Sequence, residues 1–177
     1  SADVRLMQLL EVETKLSLVD LLDSAVAASV LGKRNGDKEF YFLHDKLQEA
    51  AYSVTKSEMC CLQHFQYGLT LGTIAVRDHD DNLLITAVGQ INHGGPEAVI
   101  DGEQGLAVAK LNLDAGKRAM IMCDFFSAYS FFDCGISYLR KGHWSNHYDL
   151  SLELFNLASK CAFMNAEYTS LKLLNAQ

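Results

Sequence analysis

Phe40-Tyr41-Phe42-Leu43-His44-Asp45-Lys46-Leu47-Gln48-Glu49-Ala50-Ala51-Tyr52-Ser53 reads as a short apolar strand that runs straight into a helix. Tyr41 and Leu43 alternate with Phe40 and Phe42, an apolar pattern on both faces that suits a covered strand. Asp45 stands where an N-cap belongs, and Gln48 three residues later completes a capping-box pattern. Leu47, Ala50, Ala51 and Val54 follow at i, i+3, i+4 and i+7, which commits one face of the helix to a core. The stretch is a strand-to-helix joint and holds no catalytic arrangement.

On its N-terminal side, residues 4–10 read as a short helix ending near Glu11. Ser17 is the expected N-cap of a second helix, with Leu18, Leu21, Leu22, Ala25 and Ser29 on its inner side. Residues 32–38 form a polar turn in which Asn35-Gly36 favours a tight reversal. Helix, helix, turn and strand predict a winged-helix-like unit over residues 1–56, with a short β-hairpin or strand. Such a unit can read DNA through its second helix, but here that helix carries Asp20 and Asp23 and no Lys or Arg.

From residue 57 the pattern is helical almost throughout. Leu62, Phe65, Leu69 and Gly72 line a helix that ends near Val76, and Asp80 or Asp81 is placed to cap the next. His93-Gly94-Gly95-Pro96 reads as a loop around the single proline. Asp101 or Gly102 opens a helix to about Leu113, and residues 117–141 read as one long apolar helix. Its stripe is Met122, Phe125, Tyr129, Phe132, Ile136 and Leu139, with Gly135 allowing close helix approach. A turn at 141–146 precedes a helix lined by Leu150, Leu154, Leu157, Ala158 and Cys161, which breaks near Asn165 before a last one through Leu174. The fold class is therefore mainly α, with a TPR-like antiparallel array over residues 57–177 whose repeats are degenerate.

The formal charge of −7 argues against nucleic acid or an anionic membrane as the main partner. No apolar run is long enough for a transmembrane helix, and no secretory signal opens the chain. The five cysteines form no C-x-x-C pair, so a reduced, cytoplasmic protein is expected. The initial Ser and a helical pattern that runs to the last residues suggest a segment of a longer protein. An array cut off in this way would present an apolar flank, which predicts self-association through exposed helix faces.

The phrase from Phe42 to Ser53 has the form F-x-H-D-x-x-Q-x-A-A-Y-S. It resembles the segment that follows the nucleotide-binding core in STAND or AAA-type modules of hybrid serine/threonine and histidine protein kinases. A second phrase resembles the same family farther on: Ile91-Asn92-His93-Gly94, then Leu106 to Ala119. The resemblance marks Phe42, His44, Asp45, Gln48, Ala51 and Tyr52, and then Asn92, Gly94, Leu111, Asn112 and Gly116, as structural or interface positions. It implies a regulatory, non-catalytic segment without a cofactor of its own, whose partners are other proteins and the adjacent domains of its parent chain. No G-x-x-x-x-G-K-[ST] loop occurs, so the ATP-binding part of such a protein lies outside this sequence.

Other arrangements carry alternative chemistry. His143 and His147 have a helical zinc spacing, but Ser145-Asn146 between them suggests a turn. His44-Asp45 has no nucleophile in a motif nearby. Cys60-Cys61 beside His64 would lower a thiol pKa only if exposed, and Asp78, Asp80 and Asp81 lack calcium-loop grammar. A small helical enzyme remains the alternative, and it predicts a pocket joining at least two of His44, His64, His143 and Cys60. DNA binding through the early helices is the weaker third reading.

Overall fold

A computed structural model describes residues 2–15, 17–54 and 57–174. The protein is mainly helical, with 77% of the described residues in helices and one small antiparallel sheet among them. Its contacts form two compact units, residues 1–63 and 64–177. The boundary expected after residue 56 falls at residues 55–56, outside the described residues.

The first unit runs β1 (Ala2–Asp3), α1 (Val4–Thr14), α2 (Leu18–Ala27), β2 (Leu31–Arg34), β3 (Glu39–Phe42) and α3 (Asp45–Val54). Helix α1 continues past Glu11, because nothing breaks it until Lys15 takes a left-handed φ of 57°. Glu11 Oε1 then accepts from the Val19 amide at 2.7 Å, which satisfies a donor in the first turn of α2. Ser17 occupies the N-cap position without a side-chain capping bond; its hydroxyl donates to the Asp20 carboxylate instead. The inner side of α2 is Leu18, Val19, Leu22, Ala25 and Val26, whereas Leu21 and Ser29, expected inside, are exposed.

Asn35, Gly36 and Asp37 all take positive φ, which turns the chain between β2 and β3 as the Asn-Gly pair predicts. Strand β2 occupies the start of the stretch read as polar turn. It pairs antiparallel with β3 from Leu31↔Phe42 to Arg34↔Glu39, and β1 lies along the other edge of β3. Gly32 is required there, since a Cβ would stand 2.7 Å from Cζ of the Tyr41 ring. Phe40, Leu10 and Leu31 are buried, but Leu43, just past the end of β3, is exposed. Helix α3 begins at Asp45 itself, one residue earlier than the N-cap reading has it. The carboxylate sits in the first turn, where it complements the helix dipole. None of its side chains is buried, and Ala50, Ala51 and Val54 are exposed. The apolar spacing of α3 therefore marks an uncovered face, not a core face.

The next elements are α4 (Ser57–Asp78), α5 (Asp81–Gly94), α6 (Gly102–Ile121), α7 (Phe125–Ser137), α8 (His143–Asn146), α9 (Tyr148–Met164) and α10 (Tyr168–Leu174). The division between the units falls within α4. Of the face expected on that helix, Phe65 and Gly72 are buried and Leu62 is exposed.

Within the second unit the contacts between chain-neighbouring helices run in opposite order. Gly68 faces Ile91 and Gly72 faces Ala87. Asn112 pairs with Asn92 while Arg118 pairs with Asp81. Gly116 meets Phe132 while Gly105 meets Tyr138, and Gly135 meets Leu154 while Asn165 reaches Phe125. Helices α4–α5, α5–α6, α6–α7 and α7–α9 are thus antiparallel pairs. Their shared core is centred on Ile91, Val108, Ala109, Phe132, Leu154 and Cys161.

Three acidic caps set these helices. Asp80 Oδ1 accepts from Leu83 N at 3.0 Å, Asp101 Oδ1 from Gln104 N at 2.8 Å, and Asp124 Oδ1 from Ser127 N at 3.0 Å. The third corrects the reading of one helix over 117–141. Helix α6 runs on to Ile121, the chain reverses where Cys123 takes φ 59°, and α7 starts afresh at Phe125. Met122, expected in the apolar stripe, is exposed at this reversal. His93 and Gly94 end α5, and the loop proper is Gly95 with a 3-10 turn at Pro96–Ala98.

Candidate functional site

Phe42, Gln48 and Tyr52, from the strand-helix phrase, come together in the first unit. With Leu22, Leu31 and Phe40 they line an open apolar groove of about 190 Å³ between α2, the hairpin and α3. Phe42 is held on the sheet opposite Leu31, and Gln48 and Tyr52, four apart, present one side of α3 to the groove. Phe40 at its floor is almost fully buried, while Tyr52 at its rim is 55% exposed. His44, Asp45 and Ala51 are exposed and do not line it. The carbonyl of His44 accepts from Leu47 N and so starts α3.

The residues of the second phrase serve packing. Asn92 and Asn112 are hydrogen-bonded to each other between α5 and α6. Gly94 is buried at the end of α5, and Leu111 lies against Gly72. Gly116 lets the Phe132 ring lie directly on α6, where a Cβ would come within 2.3 Å of it. Tyr138 donates its hydroxyl to Ile91 O at 3.1 Å, and burial pushes its ionisation well above the usual phenol range, so it remains a donor.

The histidines of the enzyme reading are engaged in different contacts. His64 Nδ1 lies 2.7 Å from Gln90 Oε1, with its ring 5.7 Å from that of His93. His143 Nδ1 lies 2.9 Å from Ser151 Oγ and its ring stacks on Phe155. Among the described residues no three His, Cys, Asp or Glu side chains converge as a metal ion would need. The five cysteines are free thiols; Cys161 is buried, Cys123 is exposed and the others are half-buried.

A second concavity in the helical unit was not anticipated. A cleft of about 400 Å³ opens between the start of α6, the α7–α8 connection and α8, and its lining includes Glu103, Arg140, Lys141, His143 and His147. The basic run Arg140-Lys141-Gly142-His143 in an acidic chain was its only sequence signal. Elsewhere in this unit, Ile121, Met122, Phe126, Phe163 and Met164 are all more than half exposed. They cluster near the α6–α7 and α9–α10 turns, which Asn165 ties together by donating to Phe125 O at 3.1 Å.

Among the described residues no helix is long and apolar enough to cross a membrane. Comparison with protein-family models, curated proteins and solved structures returns no match.

Proposed function

We propose that this chain is a non-catalytic regulatory and scaffolding segment of a cytoplasmic multidomain signalling ATPase or protein kinase. Its first unit acts as a winged-helix-like module that docks on an adjacent domain of the parent protein. Its second acts as a TPR-like array that binds a protein partner and relays that binding to the nucleotide-binding core. The relay requires the partner to prefer one docking state of the first unit over the other.

The observation that carries the reading is the groove. Phe42, Gln48 and Tyr52, drawn from one sequence phrase, gather on an apolar surface beside a helix with no buried side chain. An amphipathic helix left uncovered is the usual signature of a docking face. A strand, two helices and a hairpin closing an antiparallel sheet support the winged-helix part, and the run of antiparallel helix pairs supports the array. The exposed Ile121, Met122, Phe126, Phe163 and Met164 support association through helix faces.

The test is nucleotide hydrolysis by the whole protein that carries this chain, compared between wild type and Tyr52→Ala. A change in basal or stimulated rate of at least about fivefold, with the fold intact, is the expected result for a coupling surface. A carrier protein without nucleotide hydrolysis, or identical rates in the two proteins, overturns the proposal.

A further inference from the structure

We infer that the cleft between α6, α7 and α8 is a binding site for a compact oxyanion, the phosphate or carboxylate end of a small ligand. Its volume of about 400 Å³ is within the range of small-molecule sites, roughly 300 to 1,000 Å³. Four groups able to carry positive charge line it, Arg140, Lys141, His143 and His147, against one carboxylate, Glu103. The inference does not depend on the function proposed above.

Arg140 differs from the other arginines of known pairing. Arg34, Arg77 and Arg118 each sit on a carboxylate, Glu39, Asp78 and Asp81 respectively. Arg140 has no carboxylate partner among the described residues; its stem lies across Gly102, where a Cβ would be 3.5 Å from Arg140 Cδ. The side chain is exposed and runs along Gly102 at the edge of the cleft, and planar donors of this kind suit an oxyanion. Lys141 likewise makes no ion pair among the described residues. Asp101 already holds the Gln104 amide, so the basic character of the cleft comes from its side chains and not from the end of α6.

His143 is fixed in a way that links the ligand to a proton. The Ser151 hydroxyl donates its one hydrogen to His147 O at 2.9 Å. The same oxygen lies 2.9 Å from His143 Nδ1, a contact that orients the ring. Protonation of the ring adds a positive charge to the lining of the cleft, which favours an oxyanion. Burial, and secondarily the charge of His147, hold His143 below the usual imidazole range, so the free ring is neutral at neutral pH. The groups that face it are Glu103, Arg140, Lys141 and His147 in the cleft, with Trp144, Phe155 and Ser151 against the ring.

The experiment is a titration of the whole chain with sodium sulfate at constant ionic strength, followed by NMR of the histidine ring protons. Sulfate stays a dianion from about pH 5.5 to 8, so any pH dependence belongs to the protein. A saturable shift of the His143 signals is expected, tightening as pH falls by up to about tenfold per unit. Arg140→Ala/Lys141→Ala should weaken it by about tenfold or more, and Glu103→Gln should tighten it, with circular dichroism unchanged in both. Parallel titrations with phosphate and acetate identify the ligand class: saturation by phosphate but not acetate marks a phosphate site, and saturation by acetate as well marks a carboxylate site. No saturable response to any of the three anions, or equal affinity in the double variant, overturns the inference.

Discussion

Asn92 and Asn112 exchange their side-chain amides between α5 and α6. Asn92 Nδ2 donates to Asn112 Oδ1 at 2.8 Å, and Asn112 Nδ2 returns a bond to Asn92 Oδ1 at 3.1 Å. The second hydrogen of Asn112 goes to Val108 O, so both donors of a fully buried amide are used. A polar pair of this kind fixes the register of two helices that apolar contacts alone would let slide.

The pair predicts a non-additive response to truncation. Asn92→Ala strands a fully buried amide and should cost about 1–3 kcal/mol, although Asn92 itself is only half-buried. Asn112→Ala should cost a similar amount, with a cavity added. Asn92→Ala/Asn112→Ala should cost less than the sum, with a coupling of about 0.5–3 kcal/mol. Urea denaturation of the four proteins measures the cycle, and strict additivity would show that the amides are not coupled.

Two glycine substitutions should move stability in opposite directions. At Gly116 a Cβ would meet the Phe132 ring at 2.3 Å. Overpacking of about 1–3 kcal/mol there outweighs a helix-propensity gain of about 1 kcal/mol, so Gly116→Ala destabilises. At Gly89, within α5, a Cβ would meet nothing within 4 Å. Gly89→Ala should therefore stabilise by about 0.5–1 kcal/mol. Thermal unfolding of both variants reads the two signs.

Phe40 and Tyr52 line the same groove yet should differ in what they support. Phe40→Ala removes an almost fully buried ring and should cost about 3–5 kcal/mol. Tyr52→Ala removes a side chain that is more than half exposed and should stay within about 0.5 kcal/mol of wild type. Chemical denaturation followed by circular dichroism separates them. A large loss in Tyr52→Ala would give the rim a structural role.

Asp124 should contribute to the acid limb of stability. Hydrogen bonds from the Ser127 side chain and then its backbone hold the Asp124 carboxyl below the usual carboxylate range. The folded state therefore binds this proton less readily than the unfolded chain. The contribution is present above the ordinary carboxylate pKa and is lost as pH falls through the lowered folded value. Asp124→Asn should remove that part of the pH dependence, whereas loss of the N-cap in Asp124→Ala should also cost about 1 kcal/mol at neutral pH. Melting temperatures from about pH 2 to 7 test both.

Local chemistry made much of this fold legible. Asn35-Gly36 announces the hairpin, Asp80 and Asp101 announce their helices, and Gly135 among large apolar residues announces close packing. Each signal works through its own backbone or nearest turn. The end of α6 was hidden because Met122 continues the apolar spacing and the reversal is made by Cys123, a residue with no preference for positive φ. Strand β2 was hidden because Leu31 is its only large apolar residue. The spacing on α3 showed which side chains could be buried together, but not that Ala50, Ala51 and Val54 stay exposed. The basic cleft draws on positions from 102 to 147, which only the tertiary pairing of helices brings together.

The antiparallel order of the second unit also bears on how it forms. Gly68 meets Ile91, Asn92 meets Asn112, Gly116 meets Phe132 and Gly135 meets Leu154, so each pairing closes a short stretch of chain. Loop closures of this length cost little entropy, and a topology of low contact order folds quickly. Helices added one after another can each find their partner in the helix just completed, so this part of the molecule can assemble in the order in which a ribosome delivers it.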